Sequence, residues 1–511
     1  MPKLGAGLLA SGQRFPQELA VPSQRAVPLP EKVLQFGEGN FLRAFVDWMF
    51  ARLNRRGSFG GRIVAVQPIA AGMARQINEQ DGLYTLILRG LQDGRIVEQR
   101  EIVSAVSRCI DPYADFEAFI ACAANPELRF VVSNTTEAGI KTDPADAPEA
   151  RPSPSFPGKL TQLLHARFQH FGGARERGLV MLPCELIERN GDALARAVVE
   201  TARRWNLGDA FLRWLDEACL FTNTLVDRIV TGYPKDEAAA LAEQLGYADD
   251  LLVTGEVFHS WVIESRRPLE TELPFVAAGL DVTWTGDMTP YRERKVRILN
   301  GAHTMTVLAA YLAGKETVRE CMDDPLLRAF MQRGIEEEII PTLSLPRADL
   351  EAFAKSVSER FSNPFIKHYL LSISLNSVSK YKARILGTVL DYRRSQGRLP
   401  PRLTFALAAL IAFYRGRELR DGALIGARAG AEYRIQDDAA VLAAFRDAWQ
   451  AAGERPSRDA CLALVRKLLA RADFWGQDLT VALPGFDAAV AQHLADICEG
   501  GVRAALERVA A

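Results

Sequence analysis

A glycine turn between an apolar strand and a helix constrains the fold of this chain most strongly. The segment VLQFGEGNFLRAF, residues 33–45, passes from an apolar run through Gly37 and Gly39 into a stretch with helical periodicity. The next apolar run, GRIVAVQPI, predicts a second strand that ends near Gln67. A strand, a glycine turn, a helix and a strand in this order are typical of the parallel unit that holds a dinucleotide pyrophosphate. We therefore predict a Rossmann-type domain, although Leu42 stands where the third glycine of G-x-G-x-x-G is expected.

Later apolar runs extend the same architecture. LRFVVSNTTEAGI and GLVMLPCELI predict buried strands whose carboxyl ends open into polar residues, where ligands bind in open α/β sheets. An alternating stretch on both sides of residues 92–94 predicts a hairpin insertion, and the proline-rich segment 144–159 predicts a surface loop. From Tyr291 onward helical patterns dominate. The predicted fold is α/β, with a Rossmann-type domain at 1–285, a mainly α-helical domain at 286–511 and an active site between them.

The composition excludes several classes of function. Sixty-two basic and 63 acidic residues leave a net charge of -1, so no global attraction to nucleic acid or to an anionic membrane is expected. The seven cysteines and six histidines are scattered and form no zinc-ligand spacing or disulfide framework. No apolar run approaches the roughly 20 residues that span a bilayer, and the first residues do not resemble a signal peptide. We expect a cytoplasmic, metal-independent protein.

The segment YRERKVRILNGAHTM concentrates residues that can perform acid and base chemistry. Lys295, Asn300 and His303 fall on one predicted helix, over an arc of about 140°. A lysine acts as a base only when its pKa falls far below the free value of roughly 10.4, which burial and the neighbouring Arg294 and Arg297 would favour. A solvated basic helix face with a buried histidine is the alternative interpretation of the same segment.

Five segments in order resemble the mannitol dehydrogenase family of polyol-specific long-chain dehydrogenases: QFGEGNFLRAF, FVVSNTTEAGI, LPCELIERNG, NTLVDRIV and KVRILNGAHT. The resemblance covers nearly the whole chain and implies hydride transfer between a nicotinamide cofactor and a small sugar acid. It also implies that Lys295 is the general acid or base. Asn190 and Asn300 would donate hydrogen bonds to the developing alkoxide, and His303 would orient the substrate oxygen or the lysine.

The resemblance and the predicted strand ends together indicate where the cofactor binds. The predicted contacts are Phe36, Gly37, Gly39, Asn40, Phe41, Arg43, Gln67, Thr135 and Glu137. Arg43 would neutralise a phosphate. Gln67 stands where an acidic residue normally accepts the ribose hydroxyls of NAD. NAD is still favoured over NADP, because no arginine directly follows the second strand and Arg75 is the nearest.

A sugar acid requires cations that bind its carboxylate. Asp227 in NTLVDRIV is predicted to line the substrate cleft, and LNSVSKYKARI offers Lys380, Lys382 and Arg384 for charge-assisted hydrogen bonds. A solvated basic face is equally consistent with these three cations. The implied ketone substrates, in order of preference, are tagaturonate, fructuronate and fructose. A nucleotide-binding regulator without catalysis is the alternative from another class, since a fold does not imply a function.

Overall fold

The computed structural model describes residues 1–22, 28–136 and 139–510. The chain forms two compact units. The first comprises Met1–Gly90 and Arg95–Met288, and the second comprises Leu91–Gly94 and Thr289–Ala511.

A six-stranded sheet organises the first unit. Its strands are β1 (Glu31–Phe36), β2 (Arg62–Val66), β3 (Val106–Ile110), β4 (Phe130–Ser133), β5 (Val180–Pro183) and β6 (Leu220–Phe221). Their order is β3-β2-β1-β4-β5-β6, and the neighbouring strands are parallel. This is the order of a dinucleotide-binding sheet, in which the connections reverse direction between β1 and β4 and open a crevice at the carboxyl ends. The predicted Rossmann-type fold is confirmed.

Apolar side chains on both faces of the sheet explain why it is buried. On β1, Val33 belongs to one core cluster, whereas Leu34 and Phe36 belong to another on the opposite face. The helical segments of this unit are Ala6–Ala10, Asn40–Leu42, Arg43–Asp47, Trp48–Arg55, Ala74–Glu79, Phe116–Ala121, Cys122–Ala124, Phe156–His170, Arg175–Arg177, Asn190–Arg204, Asp209–Glu217 and Ala238–Leu245. Phe156–His170 begins inside the segment predicted as a loop, because Ser155 caps the helix by accepting a hydrogen bond from the Gly158 amide.

Two smaller sheets complete the first unit. One contains Leu19–Ala20, Arg95–Val103, Tyr84–Gln92, Val253–Glu256 and Val230–Gly232 in that spatial order, and the other contains Asn223–Asp227, Ser260–Glu264 and Val282–Thr285. The strands Tyr84–Gln92 and Arg95–Val103 are the predicted hairpin. Asp93 and Gly94 form its turn with φ of 51° and 72°, as expected for a tight two-residue connection.

The second unit is mainly helical, as predicted. Its helical segments are Thr289–Arg294, Lys295–Asn300, Gly301–Leu312, Val318–Asp323, Pro325–Arg333, Gly334–Ile339, Ile340–Thr342, Arg347–Phe361, Leu370–Ile373, Ser377–Tyr381, Lys382–Leu386, Gly387–Gln396, Pro401–Phe413, Ala439–Ala452, Arg458–Leu469, Ala472–Trp475, Leu479–Ala482 and Phe486–Ala510. An antiparallel sheet of Gly416–Arg420, Ala423–Arg428 and Ala431–Ile435 was not anticipated, because its outer strands are largely exposed and lack an apolar run. No helix in the described part of the chain has the length and apolarity needed to cross a bilayer.

Candidate active site

The turn after β1 leaves room for a ligand at a helix N-terminus. Gly37 has φ of +116°, and a Cβ atom there would lie 3.1 Å from Leu42 Cδ1 and 3.2 Å from the Asn134 carbonyl oxygen. Leu42 therefore fills the space that the first glycine leaves, which explains how the turn forms without a third glycine. Gly39 caps the helix, is exposed and has no atom within 4 Å of its ideal Cβ position. A phosphate can approach the backbone amides at this point.

The buried side chain of Arg43 stabilises this turn through hydrogen bonds. The side chain is buried, and its Nε donates to the Glu38 carbonyl oxygen at 3.2 Å while Nη2 donates to Asn40 Oδ1 at 2.7 Å. Nη1 donates to the Leu251 carbonyl oxygen. The guanidinium is thus engaged with the protein, and the structure does not support the predicted direct contact with a phosphate. Arg43 positions Asn40 and the turn instead.

The aromatic residues of the turn differ in their surroundings. Phe36 is buried and packs against Phe119 and Phe156, with ring centroids at 5.9 and 4.9 Å, so that only its backbone faces the turn. Phe41 is half-buried and stacks on Phe45 at 5.0 Å.

Gln67 holds the loop that follows β2. It occupies the position at the strand end where an acidic residue is normally found. Gln67 is buried, and its Nε2 donates to the carbonyl oxygens of Ile69 and Ala70 at 2.9 and 3.1 Å. Glu38 reaches the same loop and accepts a hydrogen bond from the Met73 amide at 3.2 Å. Burial raises the pKa of Glu38. Glu38 was not predicted, although its place between the two glycines indicated proximity to the cofactor site.

A buried carboxyl group links the ends of β4 and β5. Glu185 Oε1 accepts hydrogen bonds from the amide and the hydroxyl of Thr135, each at 3.0 Å, and Oε2 accepts from Ser133 Oγ at 3.1 Å. Burial raises the pKa of Glu185 despite these donors. Glu185 was not predicted, although an acidic residue directly after an apolar strand was a usable signal. The predicted contact Glu137 lies outside the described residues.

Asn190 is an internal cross-link. It is fully buried, and its Nδ2 donates to the carbonyl oxygens of Pro183, Glu185 and Thr224 at 3.0, 3.1 and 3.0 Å. Its Oδ1 accepts from the amides of Gly191 and Thr224 at 2.9 and 2.8 Å. An amide has two N–H hydrogens, and three carbonyl oxygens already share them. The structure therefore does not support the predicted role of Asn190 as a donor to an alkoxide.

The NTLVDRIV segment places two charged residues differently. Asp227 is half-buried at the end of the strand Asn223–Asp227. Arg228 is buried and donates to the carbonyl oxygens of Ala44, Val257 and Phe258 at 2.6, 3.1 and 3.0 Å. Burial lowers the pKa of Arg228 to about 9. Arg228 therefore fastens the helix after the glycine turn, while Asp227 remains the candidate for a substrate contact.

In the second unit, Lys295 and Asn300 lie on a π-helix that continues into the α-helix Gly301–Leu312. Hydrogen bonds from i to i+5 bring residues five apart closer to one face than the predicted α-helix would, and such turns are frequent at functional sites. Both side chains are half-buried. The side-chain amide of Asn300 makes no hydrogen bond to the described residues. Arg297 Nη1 lies 2.6 Å from Asp391 Oδ2. Because this ion pair compensates the charge of Arg297, its predicted electrostatic effect on the Lys295 amine is weaker.

His303 follows on the same helix and faces a group of cations. Its ring stacks on Phe361 at 4.1 Å and meets the His368 ring edge-on at 5.1 Å. Its Nε2 atom is buried and has no hydrogen-bond partner in the described ranges. Burial holds the pKa of His303 well below its ordinary value, and so do the neighbouring charges of His368, Arg360, Arg384 and Lys380. The imidazole is therefore neutral and free to bond a ligand oxygen.

Two of the three cations predicted to bind a carboxylate lie near His303. Arg384 Nη1 is 3.4 Å from Thr304 Oγ1, and Lys380 Nζ donates to the Ile373 carbonyl oxygen at 2.8 Å. Burial lowers the pKa of both cations. Lys382 is exposed and extends toward Gly476, where its Cε is 3.2 Å from the ideal Cβ position. The structure does not bring Lys382 to this group.

Among the residues that the structure describes, no three His, Cys, Asp or Glu side chains form a group that could hold a metal ion. The polar groups of the candidate site are amine, guanidinium, amide and imidazole side chains. Their chemistry suits the binding of anions and hydroxyl groups.

The chain belongs to the mannitol dehydrogenase family of oxidoreductases. The Rossmann domain of mannitol dehydrogenase matches residues 31–275, and the mannitol dehydrogenase C-terminal domain matches residues 287–498. The altronate oxidoreductase of Shigella flexneri is 48% identical over 481 residues, which cover 93% of this chain and 96% of that protein. The altronate oxidoreductase of Klebsiella pneumoniae strain 342 is 48% identical over 479 residues, covering 94% and 96%.

Solved structures resemble the whole chain in fold. A D-sorbitol dehydrogenase in substrate-free form has a TM-score of 0.80 at 24% identity, covering 99% of this chain and 100% of that chain. The mannitol 2-dehydrogenase of Pseudomonas fluorescens, solved as a ternary complex with NAD and D-mannitol, has a TM-score of 0.68 at 22% identity, covering 99% of each chain. These likenesses show the fold.

Proposed function

We propose that the chain reduces D-tagaturonate to D-altronate, and catalyses the reverse reaction, with NAD as cofactor and without a metal. The observation that carries this proposal is the identity of 48% to altronate oxidoreductases over 93% of the chain. The lysine, asparagine and histidine at 295, 300 and 303 provide the chemistry that the reaction needs. Sugar-acid reduction is therefore the function that accounts for both the relatives and the residues.

The turn after β1 fits a dinucleotide. Gly37 adopts a conformation that L side chains rarely adopt, and Gly39 leaves open space at the helix N-terminus. A bound nicotinamide supplies or accepts the hydride. The chain's own contribution is to bind the pyrophosphate through backbone amides and to hold the loop after β2 through Gln67. NAD is favoured over NADP because Arg75, the nearest cation to this loop in sequence, is engaged with Glu79 at 2.7 Å.

Lys295 acts as the general acid and base. During reduction, its ammonium group donates a proton to the ketone oxygen as the carbonyl carbon receives the hydride. In the oxidation direction, the neutral amine removes the hydroxyl proton. Asn300 donates a hydrogen bond to the developing alkoxide, and the neutral His303 orients the substrate oxygen. Asn190 has no part in this step and instead aligns the strand that ends at Asp227.

Arg384 and Lys380 are proposed to bind the carboxylate of the sugar acid. They lie on one side of a helical stretch, near His303, and burial lowers the pKa of each. A carboxylate offsets the unfavourable concentration of positive charge around this imidazole. This preference for an anionic substrate is the reason to place tagaturonate before fructose.

The test is a panel of ketones assayed by oxidation of NADH and of NADPH. We expect turnover with tagaturonate and NADH to exceed turnover with fructuronate, with fructose and with NADPH. Higher activity with fructuronate would reassign the epimer, and activity with fructose alone would refute the sugar-acid proposal. NADH binding without turnover of any ketone would favour a nucleotide-binding regulator.

A further inference from the structure

Two buried oxygen atoms beneath the glycine turn lack a hydrogen-bond donor. Gln35 and Asp47 are fully buried, and in the described part of the chain neither Gln35 Oε1 nor Asp47 Oδ1 has a hydrogen-bond partner. The remaining polar atoms of both side chains are used. Gln35 Nε2 donates to the Gly37 carbonyl oxygen at 3.1 Å. The Tyr84 hydroxyl donates to the Arg43 carbonyl oxygen at 2.7 Å and lies 3.3 Å from Asp47 Oδ2. Buried polar groups without partners are rare and require an explanation.

A single proton satisfies both oxygens. The Asp47 carboxyl lies within hydrogen-bonding reach of the Gln35 side chain. Gln35 Nε2 already donates to Gly37, and the two oxygens without partners are both acceptors, so a proton on Asp47 Oδ1 would satisfy both of them. Rotating the Gln35 amide by 180° does not provide an alternative. The rotation would direct Nε2 at Asp47 but would place Oε1 against the Gly37 carbonyl oxygen, where two acceptors would meet.

Burial favours the neutral acid and outweighs the contacts with Gln35, Arg43 and Tyr84, which favour the ionised form. Arg43, on the same helix, is the cation that faces Asp47, and its guanidinium already donates to other acceptors. Tyr84 approaches from the neighbouring hairpin strand and Cys109 from β3, and burial raises the pKa of each. Burial also raises the pKa of Asp47 to about 7.

We propose that Asp47 is a protonated carboxylic acid that positions the dinucleotide-binding turn. Its hydrogen bond to Gln35 holds the Gln35 amide, and that amide holds the carbonyl group of Gly37, the residue whose conformation opens the turn. Loss of the proton places a charge against Gln35 Oε1 and weakens this support. Dinucleotide affinity therefore falls as the pH rises through neutrality. The inference rests on the proposed dinucleotide site but does not depend on the identity of the sugar acid.

The matched test is the same substitution at two buried aspartates. Asp47→Asn places an N–H donor where the proposal requires one. Asp249→Asn instead places an N–H donor where the fold needs an acceptor. Asp249 Oδ1 accepts from Gln80 Nε2 and the Leu251 amide, and Oδ2 accepts from the Thr85 amide. We expect Asp47→Asn to exceed the Tm of the wild type at pH 6 and to exceed it by a larger margin at pH 8.5. Asp249→Asn should lower the Tm at both pH values.

NADH binding, followed by fluorescence, provides the second measurement. We expect the Kd of the wild type to increase by about tenfold or more between pH 6 and pH 8.5, because the binding-competent protonated form is depleted above neutrality. Asp47→Asn should change less than about twofold over the same range. A Tm loss in Asp47→Asn equal to that of Asp249→Asn, or a pH-dependent Kd that persists in Asp47→Asn, would overturn the proposal.

Infrared spectroscopy of the wild type can refute the protonated acid even if a variant does not fold. A carboxylic acid C=O band present at pH 6 and lost by pH 9 is expected, and its assignment follows from its absence in Asp47→Asn. Absence of any such band in the wild type at pH 6 would refute the protonated acid. If NADH does not bind at any pH, the proposed function fails, whereas the infrared and Tm comparisons still decide the state of Asp47.

Discussion

Replacing Asn190 by alanine distinguishes a structural amide from a catalytic one. The Asn190 side chain donates to three carbonyl oxygens and accepts from two amides, and it joins β5 to the strand Asn223–Asp227. Asn190→Ala removes these bonds at a fully buried position. We therefore expect the substitution to lower the free energy of unfolding, with lost turnover as a consequence of the disturbed strand.

The magnitude follows from the groups left without partners. Pro183 retains a donor, since Thr224 Oγ1 also bonds its carbonyl oxygen. The Glu185 carbonyl oxygen also keeps a donor, the Ile187 amide at 2.8 Å, whereas the Thr224 carbonyl oxygen and the amides of Gly191 and Thr224 lose the bonds made by Asn190. Each buried polar group left unsatisfied costs about 1–3 kcal/mol, and partial relaxation reduces the sum. A loss of about 3 kcal/mol or more is expected, a large part of the 5–15 kcal/mol that stabilises a typical domain.

The assay is urea denaturation, with Asn300→Ala as the matched control. A fall in the midpoint at constant slope reports the loss of stability. Asn300→Ala removes an amide that has no hydrogen bond to the described residues, so we expect less than about 1 kcal/mol of destabilisation. Its turnover should fall by about 10²- to 10³-fold, as for loss of an oxyanion donor. Unchanged stability in Asn190→Ala together with a turnover loss of that size would refute the structural role and restore the catalytic one.

Three further results are expected. Lys295→Ala should lower turnover by about 10²- to 10⁴-fold while NADH affinity stays within about twofold, and a parallel loss of NADH affinity would contradict a role confined to proton transfer. Arg384→Met should raise the KM for tagaturonate by about 10- to 100-fold but not that for fructose, with the exposed Lys382→Met unchanged; equal effects on both ketones would exclude a carboxylate contact. Because the folded pKa of Asp47 is raised from 3.8 to about 7, its contribution to the free energy of unfolding is fully present below pH 4. We expect up to about 4 kcal/mol to be lost as the pH rises to about 7, and denaturation of Asp47→Asn should not show that slope.

The architecture was predictable because its signals are local. Apolar runs and the glycine turn predicted the parallel strands β1, β2, β4 and β5, and helical periodicity predicted the second unit. The antiparallel sheet at 416–435 escaped prediction because its short, exposed strands carry little periodic signal. The π-helix at 295–300 escaped it because apolar spacing does not distinguish i to i+4 from i to i+5 hydrogen bonds.

By itself, the sequence determined the fold class, the family and the order of the residues that can perform the chemistry, since these depend on residue type and on spacing along the chain. The tertiary structure alone decided which polar groups remain available to a ligand. Asn190 is bonded to Thr224, 34 positions away, and Arg43 to Leu251, 208 positions away. Such partners consume donors that the local pattern leaves free, and the buried oxygens of Gln35 and Asp47 become a pair only when a helix packs on its strand.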